Sequence, residues 1–560
     1  MTDATAQPSA FLQHQPVARR LSVRAFVAIA ASGLLGLFWF HRADLTSGLR
    51  LMSGDAGDTR LIAFLLEHQW QALLGHAAWP SPPMFYPQPG TLGYADAFVL
   101  QGLLYWPLRA LGSDVFTALQ VSTLLLNALN YAVMAWLLHR VLRLGVLPTI
   151  AGALLFAFNS AKFNQFVHLQ LQPLLLLPLM VALCVDLARR METLPPRGVF
   201  LRLAGVALLL DLQLLSGVYV AWFFGFYGLL YLGLLLLLAP TRVWLARHVV
   251  RHVAAIAAAA GVFLVGAIPF AVLYVPVLRD AGWRSYGDAQ GMIPSWYSVL
   301  LLGDRNWLWA WLEKRVPHFY ELPFFWEHRI GLGAVVTLAW LALTFAVLRA
   351  VRPWPVRAAR AAPTSAHFLA VLVLAVTAFY LLGMKYAGHS PWWFAFHTVP
   401  GIKSIRAVSR YVIVLALPMA IALAWALDAL LTRVRMPGRV ALAALVTLAA
   451  LEQVGTRDGY DKAQAAARIQ TLAARLPQGC AAFYVTAPQV DPVLNVSRHI
   501  DAMLVAQRTG VPTLNGYSGQ APKDWSGVFQ IGDPAYEQHV AAWVQARGVR
   551  GRICALPDGN

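Results

Sequence analysis

Charged side chains are scarce in this 560-residue sequence, at 12% of the total, so the few that could do chemistry stand out. Two carboxylates, Asp55 and Asp58, stand three apart in GDAGDTRLIAFLLEHQW (residues 54–70), where Gly54 and Gly57 allow a tight turn. A carboxylate near a membrane surface can act as general base on an acceptor hydroxyl, an effect typically of about 10²–10⁴-fold. Asp58 also stands where an N-cap would satisfy the free backbone donors of the helix that follows. Capping does not explain Asp55, three residues further out, which makes it the first choice for the base. Glu67 and His68 follow on the same helix, where a solvated face accounts for them as readily as substrate binding does.

Basic and polar residues cluster elsewhere. The stretch PGIKSIRAVSRYVIV supplies Lys403, Arg406 and Arg410 just before an apolar run. Arg406 and Arg410 are four apart and would share one helix face. Arginine matches phosphate oxygens bidentately, so the readings are a carrier phosphate, a phospholipid headgroup, or an ion pair with a loop carboxylate. NSAKFNQFVHLQLQP places Lys162, His168 and Gln170 at a helix boundary, where polar groups are costly and are either paired or functional. GDRNWLWAWLEK and FFWEHRIGLG add Asp304, Arg305, Glu327 and His328 among tryptophans that suit an interface belt or a sugar-stacking surface. No GxxxxGKS loop, HExxH pair or Cys/His cluster occurs, and GYSG at 516–519 is not a GxSxG nucleophile elbow.

The elements that must position these residues are membrane spans. Hydrophobic residues make up 59% of the chain, while a soluble domain carries roughly 25% charged residues. The net charge of +18 has no basic stripe that would fit nucleic acid. Arg and Lys instead gather between apolar runs of the length that crosses a bilayer. About eleven spans are expected, near 20–40, 115–138, 146–162, 171–188, 200–217, 219–239, 253–276, 330–348, 366–384, 411–431 and 439–456. Residues 97–111 are short and contain Pro107, which predicts an interfacial helix; an amphipathic surface helix is expected from Thr59 to Gly75. The positive-inside rule puts the N-terminus in the cytoplasm and loops at about 41–96, 277–329 and 385–410 outside it.

Residues 1–18 read as a disordered cytoplasmic tail, 19–456 as the transmembrane domain, and 457–560 as a small non-cytoplasmic α/β domain. Within that domain AAFYVTA and ARICALP read as strands whose pairing would bring Cys480 and Cys554 together, as an oxidising compartment permits. Cys184 reads as a small core residue.

Taken together, the first-loop motif Gly54–Asp58, the amphipathic helix behind it, His168 at an outer helix end and the late IRAVSR segment resemble the GT-C superfamily of integral membrane glycosyltransferases, in an uncharacterised bacterial branch. The resemblance covers roughly residues 20–456 in architecture. It implies a multi-pass protein of the bacterial inner membrane with a periplasmic C-terminal domain. It implies inverting transfer of a sugar from a polyprenyl-phosphate donor to an acceptor glycan, lipid or protein on the periplasmic face. A first-loop acid, Asp55 or Asp58, would be the base. Lys403, Arg406 and Arg410 would hold the donor phosphate, and Glu67, His68, His168, Gln170, Asp304, Arg305, Glu327 and His328 are candidates for binding substrate. A divalent metal is a possible cofactor. The competing readings are a lipid or glycolipid transporter or flippase, for which Asp211 and Gln213 in the fifth expected span are the best support, and a non-catalytic assembly factor.

Overall fold

The computed structural model describes residues 14–16, 21–351 and 364–558. The expected tail 1–18 lies outside these except for 14–16, where the His14 ring meets Asp428 at 2.7 Å. Eight helices among the described residues are long and apolar enough to cross a membrane, or nine if Ala239–Arg251 and Val253–Gly266, bent by 82°, form one span. The protein is a polytopic membrane protein. The other expected spans are helices that miss the length or composition of a simple crossing. Pro196–Leu214 carries Arg197, Arg202 and Asp211. The run at 253–276 breaks at Ala267 into Val253–Gly266 and Ile268–Ala281. Met436–Glu452 has 17 residues.

The bundle is organised around Tyr411–Leu431, whose residues are nearly all apolar and buried. It packs against Val146–Ala157, Ser365–Leu382 and Val218–Leu236. Caps set the helix starts that matter for the site: Asp114 accepts from Phe116 and Thr117, and Asn159 from Lys162 at 2.8 Å. Cys184 is exposed on the outside of the bundle rather than in its core.

The loop-bearing end of the bundle departs most from expectation. The helix Asp58–Leu73 does not lie on a surface: Thr59, Arg60 and every residue from Ile62 to Gln69 are buried. Glu67 therefore faces no solvent. It accepts from Tyr105 at 2.8 Å and from Arg109 at 2.7 and 3.0 Å. His68 is spent on the carbonyls of Ala78 and Trp79, both at 3.1 Å. Tyr105 and Arg109 belong to the expected interfacial helix, Val99–Ala110, which packs on Asp58–Leu73 and on Val115–Trp136.

The C-terminal region is built into this same layer. Strand β1 (Leu51–Ser53) pairs antiparallel with β2 (Gly459–Asp461), Met52 opposite Tyr460. Strand β3 (Ala482–Thr486) pairs parallel with β4 (Ile553–Pro557), and Cys480 and Cys554 beside them form a disulfide. One apolar core contains Ile62, Phe64, Phe85 and Leu92 of the first loop together with Phe483, Met503, Trp525 and Leu556. A boundary at 457 thus divides the chain but not the core. A buried ion-pair network reinforces the join: Asp501 takes Arg60 from the first-loop helix and Arg468 (2.7 Å), while Asp558 takes Arg468 and Arg498 (2.8 Å).

Removing one partner of a buried pair leaves an uncompensated charge and typically costs about 3–5 kcal/mol. Asp501→Ala strands Arg60, while Arg468 keeps Asp558. The expected result is a lower thermal midpoint in detergent and faster proteolysis of the C-terminal region, with the spanning helices protected as before.

Candidate active site

Four segments distant in sequence meet at the loop end beneath this layer. Gly54 has φ +112°, and a Cβ there would meet Thr59 Oγ1 at 2.6 Å, so the turn before the first-loop helix needs glycine. Asp55 is exposed, and its Oδ1 accepts from the Gly57 amide at 2.9 Å. The N-cap is Gly57, not Asp58; Asp58 is the first helical residue and makes no capping bond. That leaves its half-buried carboxylate aimed away from its own helix.

Behind Asp58 lies His168, from the turn that precedes the short helix Leu169–Leu171, and then Arg410, at the head of the central helix. Arg410 donates through Nε (3.2 Å) and Nη2 (2.7 Å) to Glu327 Oε1, a fully buried pair. Ser409 (2.6 Å) and Gln165 (3.1 Å) complete the Glu327 carboxylate. The same Nη2 lies 3.0 Å from His168 Nε2, which in turn lies 3.4 Å from Asp58 Oδ2. Because a guanidinium only donates, His168 Nε2 accepts from Arg410, and the neutral ring carries its proton on Nδ1. Burial and the adjacent Arg410 push the His168 pKa down to about 3, in keeping with that neutral form. The close approach of His168 to Asp58 is therefore not a salt bridge, and it delivers no proton to the carboxylate.

The charges around Asp58 pull in opposite directions. Burial and the neighbouring Asp55 push its pKa up to about 6, against the attraction of Arg410 and Arg406. Glu327, despite complete burial, is held down at about 2 because Arg410 is bonded to it directly. Two carboxylates thus sit on either side of one arginine, one fixed as an anion and one poised to titrate near neutral pH, the arrangement expected of a general base. Asp96, half-buried nearby and accepting from the Val218 amide at 2.8 Å, is likewise raised to about 6 by desolvation.

Arg406 is half-exposed, and its electrostatic field reaches Asp58, His168, Tyr517 and Arg284. Its backbone amide is anchored at 3.0 Å by Tyr219, whose ring also carries Arg410 at 5.3 Å. Arg284 joins this basic patch, its amide donating to the Lys403 carbonyl at 3.3 Å. Lys403 itself points to solvent.

The structure thus brings together Asp55, Asp58, His168, Glu327, Arg406 and Arg410 from the sequence-based set. Others stand apart. Glu67 and His68 are locked in the first-loop core. Asp304 pairs with Arg329 at 3.1 Å, and Arg305 pairs with Asp458. His328 Nε2 lies 3.3 Å from the Gly291 carbonyl. Gln170 is half-buried, with its carbonyl pressed against Gly217, where a Cβ would come within 2.0 Å. Sequence reasoning missed Tyr219 and Arg284, which stand in no motif. Among the described residues no group of three or more His, Cys, Asp or Glu side chains is placed to hold a metal ion, so no step can be assigned to the divalent ion considered from sequence. Several loop tryptophans, among them Trp296, Trp311 and Trp326, are exposed, and Trp307 packs edge-on to Trp39 at 4.9 Å, level with the end of the first span. This placement fits the interface belt.

No family model and no curated protein matches the sequence. Among solved structures, the apo oligosaccharyltransferase of Archaeoglobus fulgidus is similar at TM-score 0.50 and 11% identity, over 93% of this chain and 68% of that one. ArnT from Cupriavidus metallidurans, solved with undecaprenyl phosphate, is similar at TM-score 0.38 and 14% identity, over 88% and 86%. At such identities the likeness is one of architecture, and the first of the two carries it: this chain shares the polytopic fold of that oligosaccharyltransferase.

Proposed function

We propose that the protein is a membrane glycosyltransferase that moves a sugar from a polyprenyl-phosphate donor to an acceptor hydroxyl at the periplasmic face of the bacterial inner membrane. The observation that carries this reading is Asp58, a carboxylate with its pKa raised to about 6, set at the loop end beside a basic patch. The acceptor hydroxyl attacks the anomeric carbon from the side opposite the phosphate and gives its proton to Asp58. The bond from that carbon to the phosphate oxygen breaks, the configuration inverts, and the electron pair leaves with the polyprenyl phosphate. Arg406 is the natural partner of the departing phosphate, with Arg284 behind it, because Arg410 is already committed to Glu327. The acidic base of the first loop moves from Asp55 to Asp58, and Asp55 becomes the like charge that tunes it.

A second reading, lipid transport, is favoured by Asp211 and Gln213. Both are buried in Pro196–Leu214, and their carboxylate and amide atoms have no hydrogen-bond partner among the described residues. A path for a polar headgroup would use such groups. Transport of labelled lipid that is lost in Asp211→Asn, with no sugar transfer by the wild type, would favour this reading over the first.

The main test is sugar transfer in membranes supplied with labelled polyprenyl-phosphate sugars. Asp58→Asn is expected to lower the rate by about 10²–10⁴-fold. A raised carboxyl pKa means that the proton is bound more tightly in the folded state, so stability from Asp58 is greatest below its ordinary pKa of 3.8 and is lost as pH rises through about 6. Asp58→Asn should therefore not lower the thermal midpoint at pH 7.5, which separates lost chemistry from lost fold. Equal activity in wild type and Asp58→Asn would refute the assignment of the base.

The wild-type rate should rise with pH through about 6 as Asp58 ionises. Asp55→Asn removes the like charge and should move that acid limb to lower pH while leaving substantial activity. Arg406→Ala should raise the KM for the donor by about 10–100-fold, the loss of one charge-assisted hydrogen bond, with a smaller effect on the KM for the acceptor.

A further inference from the structure

We infer that the helix Ala239–Arg251 is a docking surface for anionic phospholipid headgroups, lying along the membrane leaflet at the end of the bundle opposite Asp58. Its place follows from its neighbours. The span Val218–Leu236 precedes it, and Val253–Gly266 follows it at an angle of 82°. Val253–Gly266 packs along Pro196–Leu214, with Gly266 against the Asp211 carboxylate at one end and Ala255 beside Val199 at the other. The Gly266 end leads to the loop layer, where the Tyr274 hydroxyl donates to the Ala95 carbonyl at 3.1 Å. The helix Ala239–Arg251 therefore joins the far end, where Trp244 packs against Met191, Leu194 and Val199. The residues at its two junctions, Leu237 and Val253, are apolar and exposed. Lipid-facing surface thus continues up to both ends of the helix, which puts it at the level where the spans leave the hydrocarbon.

The sequence of this helix, APTRVWLARHVVR, carries three arginines and no acid. Thr241 and His248 are buried against the bundle. On the outer side Val243, Ala246 and Val250, three and four residues apart, form an exposed apolar row. Helical geometry places Arg242 on one side of that row and Arg247 and Arg251 on the other. Arg242 donates to the carbonyls of Leu236 (2.9 Å) and Leu237 (3.0 Å), and Arg251 to that of Glu192 (3.3 Å). The Glu192 carboxylate itself is turned to His248, 3.2 Å away. Among the described residues, none of the three guanidiniums meets a carboxylate. An apolar row between two lines of arginine fits a leaflet: the row sinks to the acyl boundary while the arginines reach back to the phosphates, which they bond bidentately. A zwitterionic headgroup brings its own cation and leaves three charges uncompensated, whereas an anionic headgroup neutralises them. The positive-inside rule puts this joint in the cytoplasm, on the leaflet where anionic lipids attract basic segments. Bound there, the helix holds the foot of the Pro196–Leu214 and Val253–Gly266 pair at headgroup depth.

A reporter on the apolar row tests this in the full-length protein. Val250→Cys in a Cys184→Ala background, with Cys480 and Cys554 joined to each other, is labelled with a fluorophore and reconstituted in phosphatidylcholine vesicles. A minor share of the lipid carries a doxyl quencher, on phosphatidylglycerol in one sample and on phosphatidylcholine in the other. Doxyl-phosphatidylglycerol is expected to quench several-fold more strongly. Arg247→Gln together with Arg251→Gln should cut that preference by roughly fivefold for each arginine, the contribution of one such side chain near an anionic leaflet. Arg247→Lys together with Arg251→Lys should keep most of it, and this variant with the unsubstituted pair decides the matter if the Gln variant fails to assemble. Equal quenching by the two lipids with both arginines intact overturns the inference, and so does a label that neither lipid quenches. In the latter case, protection from aqueous iodide would assign the face to another protein chain, and quenching by iodide would assign it to water.

Discussion

The buried pair between Arg410 and Glu327 is the constraint on which the loop end depends. Two buried full charges are tolerable only when their hydrogen-bonding capacity is met. Here the Glu327 oxygens take Arg410, Ser409 and Gln165. Those three partners come from the head of the central helix and from the turn after Ser160–Asn164, while Glu327 comes from the second loop. The pair therefore sets the relative position of three segments that no backbone hydrogen-bond ladder joins. It also decides chemistry. An arginine neutralised this way cannot serve as a free anion site, whereas Arg406, in the extended stretch before Val408, is half-exposed and bonded to no carboxylate.

Arg410 of this pair also acts on Asp58. An isolated arginine so close would hold a carboxylate ionised and weakly basic. Arg410 still attracts the carboxylate, but burial and Asp55 outweigh it, and the pKa rises to about 6. His168 contributes by what it withholds: as an acceptor from Arg410 it extends the chain Glu327–Arg410–His168 toward Asp58 without supplying a proton at the end. Glu327, a fully buried acid in the grip of an arginine, stays an anion, and Asp58, less buried but without a bonded cation, titrates.

Much of this was legible in the sequence and some was not, for reasons of range. Helix positions follow from runs of apolar residues and their basic joints, a local signal, and the disulfide follows from two recognisable strands. The clustering of the Gly54–Asp58 turn, His168, Glu327 and the IRAVSR arginines could be anticipated because all lie at one end of the spans. What each does there could not. Asp58 looked like a cap because carboxylates before helices usually are; in fact Gly57 caps and Asp58 is displaced inward by one residue. Glu67 and His68 looked solvated because an i, i+4 pattern on one helix does not reveal that the other face is also covered. Arg406 and Arg410 looked equivalent at a spacing of four, and only the distant Glu327 distinguishes them. Tyr517 stands in GYSG, a stretch that fits no nucleophile elbow and carries no local sign of the first loop that lies beside it.

The hidden covering element is the C-terminal region, and its manner of attachment bears on how the site works. Arg60, two residues after Asp58, is bound by Asp501, 441 residues later in the chain. β1, immediately before the Gly54 turn, is completed by β2, immediately after the last membrane helix. Both ends of the acid-bearing segment are thus tied to structure that follows every span. A first-loop helix with so many buried residues has no stable alternative place on a membrane surface, since burial of Arg60 and Glu67 requires their partners to be present. The position of Asp58 is consequently a property of the finished chain. The second loop and the ends of the spans bring Arg410, Glu327 and His168 together, whereas the segment that carries the facing carboxylate is tied on both sides to the last hundred residues.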